Sequence, residues 1–243
     1  MIILSTLKPI YVLTKKELMH YFNSPIAYIF IGVFLIINNW LFFSSFFLIN
    51  QISMRGFFTL MPWIFLFLAP AITMRLWAEE KKSGTIELLL TLPVSYWQVC
   101  IAKFLSGVIF LGIALLCTIS VPLSLNHLGN LDFGPVIGGY IGSIFLGGAY
   151  ISLGLFISSL TKNQIIAFII SVLACFLLFI AGADFIIAKS PILIAQILEF
   201  IGLGNHFESI TRGVIDSKDI IYYLSFIFFF LWLNVKKLEL NRH

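Results

Sequence analysis

Five uncharged stretches, each long enough to cross a bilayer, constrain this chain more than any other feature. They run from Pro25 to Gln51, Gly56 to Met74, Phe104 to Leu131, Phe133 to Thr161 and Asn163 to Ala183, and a shorter sixth runs from Ile220 to Val235. About 20 apolar residues are needed to cross the ~30 Å hydrocarbon core, and in lipid such runs satisfy their own backbone hydrogen bonds as helices. Only 11% of the 243 residues are charged, against about 25% in a soluble domain, which is too few to coat a water-facing surface. The sequence therefore predicts an all-α membrane protein of six transmembrane helices. The 26 Phe residues suit lipid-facing and interhelical packing equally well and point to no ligand.

Lys and Arg orient the chain. With the N-terminus in the cytoplasm, only Arg55, Lys189, Arg212 and Lys218 fall outside, and the other eleven of the 15 basic residues fall inside. The expected topology is N-in, C-in, and six spans return both termini to one side. The opening "MIILSTLKPIYVLTKKELMHYF" has no small-residue cleavage site and its lysines come too late for a cleaved signal peptide. The first span is expected to act as an uncleaved insertion signal. Cys100, Cys117 and Cys175 lie in or beside apolar segments without CxxC spacing, so they read as packing residues and not as a disulfide framework or zinc site.

Pro9 to Tyr21 carries Ile10, Leu13, Glu17, Leu18 and Tyr21 near helical spacing, with Lys15, Lys16 and His20 on other faces. Pro9 is expected to start this helix, since its missing N–H costs nothing in a first turn, and "NSPIAY" to end it. The lysines can snorkel toward anionic headgroups from the interface. In the fourth span, Gly134, Gly138 and Gly142 recur at spacing four, beside Gly139, Ser143 and Gly147. Such a small-residue stripe lets backbones approach closely, either inside one bundle, the favoured reading, or across a dimer seam. The apolar part of residues 190 to 219 is about ten residues, too short to span and typical of a re-entrant or interfacial segment.

Charge is dense in only one connection, "AEEKKSGTIELLLTLPVS" (78 to 95). With Arg75 closing the second span, Glu79, Glu80, Lys81 and Lys82 are expected in water. Gly84 can then cap a new helix with Glu87 at its third position, where a carboxylate complements exposed N–H groups. Ile86, Leu89 and Leu90 share a side, and Pro93 ends the segment. A helix of about two turns is unstable alone, so lipid, the bundle or a partner must cover its Leu face. A solvated loop with an interfacial turn remains the alternative.

The same stretch, followed by "WQVCIAKFLSG", resembles the first cytoplasmic loop of ABC-2-type transporter permeases. An E-x-x-x-G-T-x-E-x-L-x-x-x-P-like pattern matches Glu80, Gly84, Thr85, Glu87, Leu89 and Pro93. The ends "KELMHYFNSPIAYIF" and "NHFESITRGVIDSKDIIYYLSF" look like the gliding-motility-associated subgroup. The resemblance implies a single transmembrane domain over 1–243: an interfacial helix at about 9–22, spans at about 26–49, 56–75, 100–125, 133–160, 163–184 and 219–236, a coupling helix at about 83–93, and a re-entrant segment at about 190–212 made of two short helices. It implies an exporter subunit in a bacterial inner membrane, working as a dimer with a second copy or a related permease. Its motor would be a separate P-loop ATPase subunit, contacted by Glu79, Glu80, Gly84, Thr85, Glu87, Leu89 and Pro93 as shape and contact residues. ATP and Mg would belong to that partner, and nucleic acid is not an expected partner. The second connection, "SSLTKNQ" (158 to 164), would be the lesser contact.

The chain contains no GxxxxGK[ST] motif, so hydrolysis of ATP is not expected of it, and no catalytic or metal-binding residue is assigned. His206 beside Glu208 could suggest an acid–base or metal pair, but without HExxH or a second His it reads as a hydrogen-bonded structural residue. Asp184 is a lone acid with no partner in another span. An ion-coupled carrier or channel is the rival reading. Pro62, Pro70 and Pro122 could break helices for such a site, although kinks alone explain them.

Overall fold

Because each span must close its own hydrogen bonds, the architecture is a matter of which helices touch and how closely. The computed structural model describes residues 2–49, 52–87, 93–213 and 216–240, and their elements are all helical, with no strand among the described residues. In chain order they are α1 (Ile2–Phe22), α2 (Pro25–Ile49), α3 (Arg55–Ser83), α4 (Tyr96–Leu116), α5 (Ser120–Leu128), α6 (Phe133–Ser158), α7 (Gln164–Ala181), α8 (Asp184–Ile187), α9 (Ile192–Ile201), α10 (Leu203–Thr211) and α11 (Ser217–Leu240). Six segments are long and apolar enough to cross a membrane, with α4 and α5 forming one of them.

Helix α6 is the centre. It packs against α3, α4, α7, α10 and α11. Helices α3 and α6 run parallel, in a register kept along their whole length: Phe58 faces Gly139, Thr73 faces Gly154, and Trp77 meets Ser158, the last pair 81 residues apart in sequence. A Cβ on Gly139 would collide with the Phe58 ring, and one on Gly154 with Thr73. Small residues on one helix thus receive large or branched ones from the other, which is how helices associate in lipid. Helices α3 and α6 are mostly buried, whereas α2 and α7 leave most of their surface uncovered.

Two glycines of the stripe pack within the chain. A Cβ on Gly138 would lie 2.6 Å from the backbone oxygen of Ile210, and one on Gly142 would lie 3.2 Å from the Ile210 side chain, so both admit α10. Gly134 is exposed, and a Cβ there would meet Asp132, the cap of α6. A second close crossing joins Gly182, after α7, to Gly202, before α10.

Three boundaries differ from the sequence-based expectation. Helix α1 begins at Ile2, and Pro9 lies inside it; one ladder hydrogen bond is lost there, which the continuing apolar run tolerates. Helix α3 does not close at Arg75 but continues to Ser83, because its charged last turns find partners inside the chain. The third span breaks at Cys117–Ile119, just before Pro122, into α4 and α5. Before the last span lie two short helices, α9 and α10, the number the resemblance implies, and they meet at Gly202.

Close packing makes a sharp contrast testable. Gly138→Ala forces Ile210 backbone to move and is expected to cost about 1–3 kcal/mol. Gly112→Ala meets nothing within 4 Å and should stabilise by up to about 1 kcal/mol through helix propensity. Reversible unfolding in mixed micelles measures both.

Candidate functional site

Where α1, α3 and α4 converge, the chain buries a lysine. Lys103, in the second turn of α4, is 2% exposed. Its Nζ donates to Glu17 Oε1 of α1 at 3.0 Å, to Glu80 Oε1 of α3 at 2.7 Å and to the Leu76 carbonyl at 2.9 Å. An ammonium has three donors, and all three are used. The charge also lies 4.8 Å from the centre of the Trp77 ring. Around it, Tyr21 donates to the Ile72 carbonyl at 2.7 Å, Thr14 donates to the Ala102 carbonyl at 3.3 Å, and Arg75 lies over the Tyr21 ring. Glu80 Oε2 and Trp77 Nε1 are buried without a hydrogen-bond partner. Helix α1 is thereby docked against α3 and α4.

The last turns of α3 are held from the other side by the end of α6. Ser158 donates its hydroxyl to the Met74 carbonyl at 3.1 Å and accepts from the N–H groups of Trp77 and Ala78, both at 3.2 Å. Lys81 donates to the Ser159 carbonyl. The connection after α6 is therefore fixed directly to the base of the charged loop, and Asn163 begins α7 by accepting from Ile165 N–H at 2.9 Å.

Beyond Ser83 the chain turns a corner. Gly84 takes φ 72°, the left-handed conformation that closes a helix C-terminus and that glycine adopts without cost. Ser83 donates to the Glu79 carbonyl at 2.9 Å, and Thr85 to the Glu80 carbonyl at 3.4 Å, satisfying carbonyls that a helix end leaves open. Thr85, Ile86 and Glu87 are helical again. So Gly84 ends one helix as the next begins, and Ser83 belongs to the first. Ile86 packs against the core, while Gly84, Thr85, Glu87 and Pro93 are exposed. Leu89, expected on the apolar side of the loop, lies outside the described residues. The return is a capping box: Gln98 N–H donates to Ser95 Oγ at 3.2 Å, and Ser95 N–H donates to Gln98 Oε1 at 2.8 Å.

One expectation changes. Glu80 does not sit in water; its carboxylate is bonded to Lys103 and only 18% exposed, whereas Glu79 is 48% exposed, 3.8 Å from Arg75. Lys103, assigned no role by the sequence, is the centre of the cluster. Its partners lie 86 and 23 residues away, so no local spacing could reveal them; the only trace is one lysine at the edge of an apolar run.

A second polar cluster ties α10 to α11. His206 Nδ1 lies 2.7 Å from Asp219 Oδ1, and its Nε2 lies 3.1 Å from the Phe200 carbonyl. The Tyr222 ring stacks on the imidazole at 3.9 Å, and Tyr223 donates to the Leu203 carbonyl at 2.8 Å. Glu208 bonds Arg212 instead, so the neighbour in sequence is not the partner in space. Asp184 is exposed in α8.

Six helical segments long and apolar enough to cross a membrane make this a multi-pass membrane protein. The sequence model of the family described as "ABC-2 family transporter protein" matches residues 12–235. The chain belongs to that family, as a transmembrane permease of ABC transporters. None of the curated proteins compared matches it.

The cluster predicts its own mutational pattern. Lys103→Met leaves two carboxylates facing each other without a counterion and is expected to cost about 3–5 kcal/mol, the usual consequence of breaking a buried pair. Adding Glu17→Gln and Glu80→Gln should restore most of that loss, a non-additivity that unfolding of the single and triple variants would quantify.

Proposed function

We propose that this permease is the membrane half of an ATP-driven exporter, grasped at the Gly84–Glu87 corner by a separate P-loop ATPase subunit that carries ATP and Mg. The observation that carries this reading is the pairing of exposure with bracing. Gly84, Thr85 and Glu87 are exposed, yet the helix feeding them is bonded to α1 and α4 through Lys103 and to α6 through Ser158. A push on the corner would move several helices together. Glu79, Gly84, Thr85, Glu87, Leu89 and Pro93 are the proposed contacts, with Glu80 holding the base of the loop from within.

In this reading the corner and both termini face the cytoplasm of a bacterial inner membrane, as the distribution of Lys and Arg favours. Two permeases, identical or related, enclose the pathway. The broadly uncovered α2 and α7 are the surfaces most open to a second copy. The resemblance of both ends to the gliding-motility-associated subgroup supports membership there.

Co-purification in mild detergent with candidate ATPases of the host tests the proposal. Native chain is expected to capture one P-loop ATPase. Glu87→Lys should reverse a contact charge, and Gly84→Pro demands a φ near −65° where the corner needs 72°; together they should cut capture at least about ten-fold, about 1.4 kcal/mol of binding. Absence of capture by well-folded chain in every nucleotide state would favour an ion-coupled carrier or channel.

A further inference from the structure

Beside the Lys103 cluster, an open cleft of ≈ 880 Å³ separates α1 from the last turns of α3. Arg75 forms part of its wall. This side chain is 8% exposed, yet its guanidinium makes no hydrogen bond to any described residue; its ion-pair partner, Glu79, lies at 3.8 Å. Five N–H donors held beside a concave space, with none in a hydrogen bond to a described residue, suit an anion that brings several oxygens. The same cleft is lined by Lys15, Lys16 and His20 of α1, none of which has an ion pair or hydrogen bond among the described residues.

The acidic residues of the wall do not cancel these cations. Glu17 and Glu80 line the cleft and share one counterion, Lys103, which leaves one negative charge between them. With Glu79 that makes two negative charges against Arg75, Lys15 and Lys16, so the cleft stays net positive. Val12 and Met19 line the same space and are 55% and 54% exposed. A small free anion would meet the cations and leave these apolar side chains uncovered. An amphiphile would satisfy both sets.

We propose that this cleft binds the phosphate headgroup of an anionic phospholipid, with Arg75, Lys15 and Lys16 on the phosphate and Val12 and Met19 against the apolar part of the lipid. Arg suits phosphate through its planar fork of donors, and basic groups beside a membrane helix attract anionic lipid. A lipid so placed joins α1 to the base of the charged corner, since Ser83 and Thr85 also line the cleft. The site needs only the membrane setting of the chain and no ATPase partner, so its failure and that of the proposed coupling are separately visible.

Native mass spectrometry of the full chain, released from mild detergent, provides the test. The chain is titrated with phosphatidylglycerol, with phosphatidylcholine and, separately, with inorganic phosphate. One phosphatidylglycerol is expected to survive delipidation, with neither phosphatidylcholine nor phosphate displacing it. Lys15→Gln and Lys16→Gln should each weaken retention about five-fold, the value of one basic group near an anionic lipid surface. Arg75→Gln should abolish it. Because Arg75 also rests on Tyr21, the two exposed lysine variants keep the experiment decisive if the arginine variant unfolds. Equal retention by native chain and both lysine variants, or equal retention of phosphatidylcholine, would overturn the site. Displacement by inorganic phosphate would overturn the lipid in favour of a free anion.

Discussion

Everything else in this molecule depends on how closely α3 and α6 approach. In water, two apolar helices are driven together by the loss of apolar hydration. In lipid that drive is absent, and association must come from packing and hydrogen bonds. The sequence answers by removing side chains from one partner: Gly139 and Gly154 let the α6 backbone lie against Phe58 and Thr73 of α3, and Gly147 admits Leu111 of α4. At the far end of the seam the small residue becomes Ser158, whose single hydroxyl joins three backbone groups of α3. Packing passes into hydrogen bonding where the helix leaves the bundle.

The fixed end of α3 makes the Lys103 cluster possible. A lysine taken out of water costs several kcal/mol unless its donors are matched, and here two carboxylates and a carbonyl match them. Such a cluster adds little net stability over a well-packed apolar core. Its contribution is position: Glu17 can be reached only from α1 in one orientation, and Glu80 only from α3 with its last turns intact. Three helices far apart in sequence are locked to a single point, and α1 becomes part of the transport machinery's frame.

The six spans, the small-residue character of α6 and the place of the charged corner were legible in the sequence, because each is a local property of composition or spacing. What was not legible involves partners remote along the chain. Glu80 looked solvated because its counterion stands 23 residues later, at the edge of an apolar run. His206 read as a hydrogen-bonded structural residue, but its partner, Asp219, 13 residues on, could not be named from its neighbours in sequence. The regular Gly134, Gly138, Gly142 stripe drew notice by its spacing, yet the seam with α3 uses Gly139 and Gly154. Pro9 and Pro122 mark the range of proline as punctuation: the first sits within a helix, whereas the second stands four residues after Thr118, just past the break, where its ring and missing N–H oppose a continuous ladder.

These features assign α3 the role of lever in the proposed assembly. Pro70 removes one N–H from its ladder, and Thr73 donates to the Ala69 and Pro70 carbonyls in that turn, so the helix is weakest about one turn before the Ser158 and Lys103 anchors. Below that turn, the parallel seam binds α3 to α6; above it, the anchors bind α3 to α1, α4 and the end of α6. A displacement of the Gly84 corner therefore cannot be absorbed by bending the exposed turn alone. Since α6 contacts α4, α7, α10 and α11 as well, whatever tilts α3 must repack or carry the whole centre of the bundle.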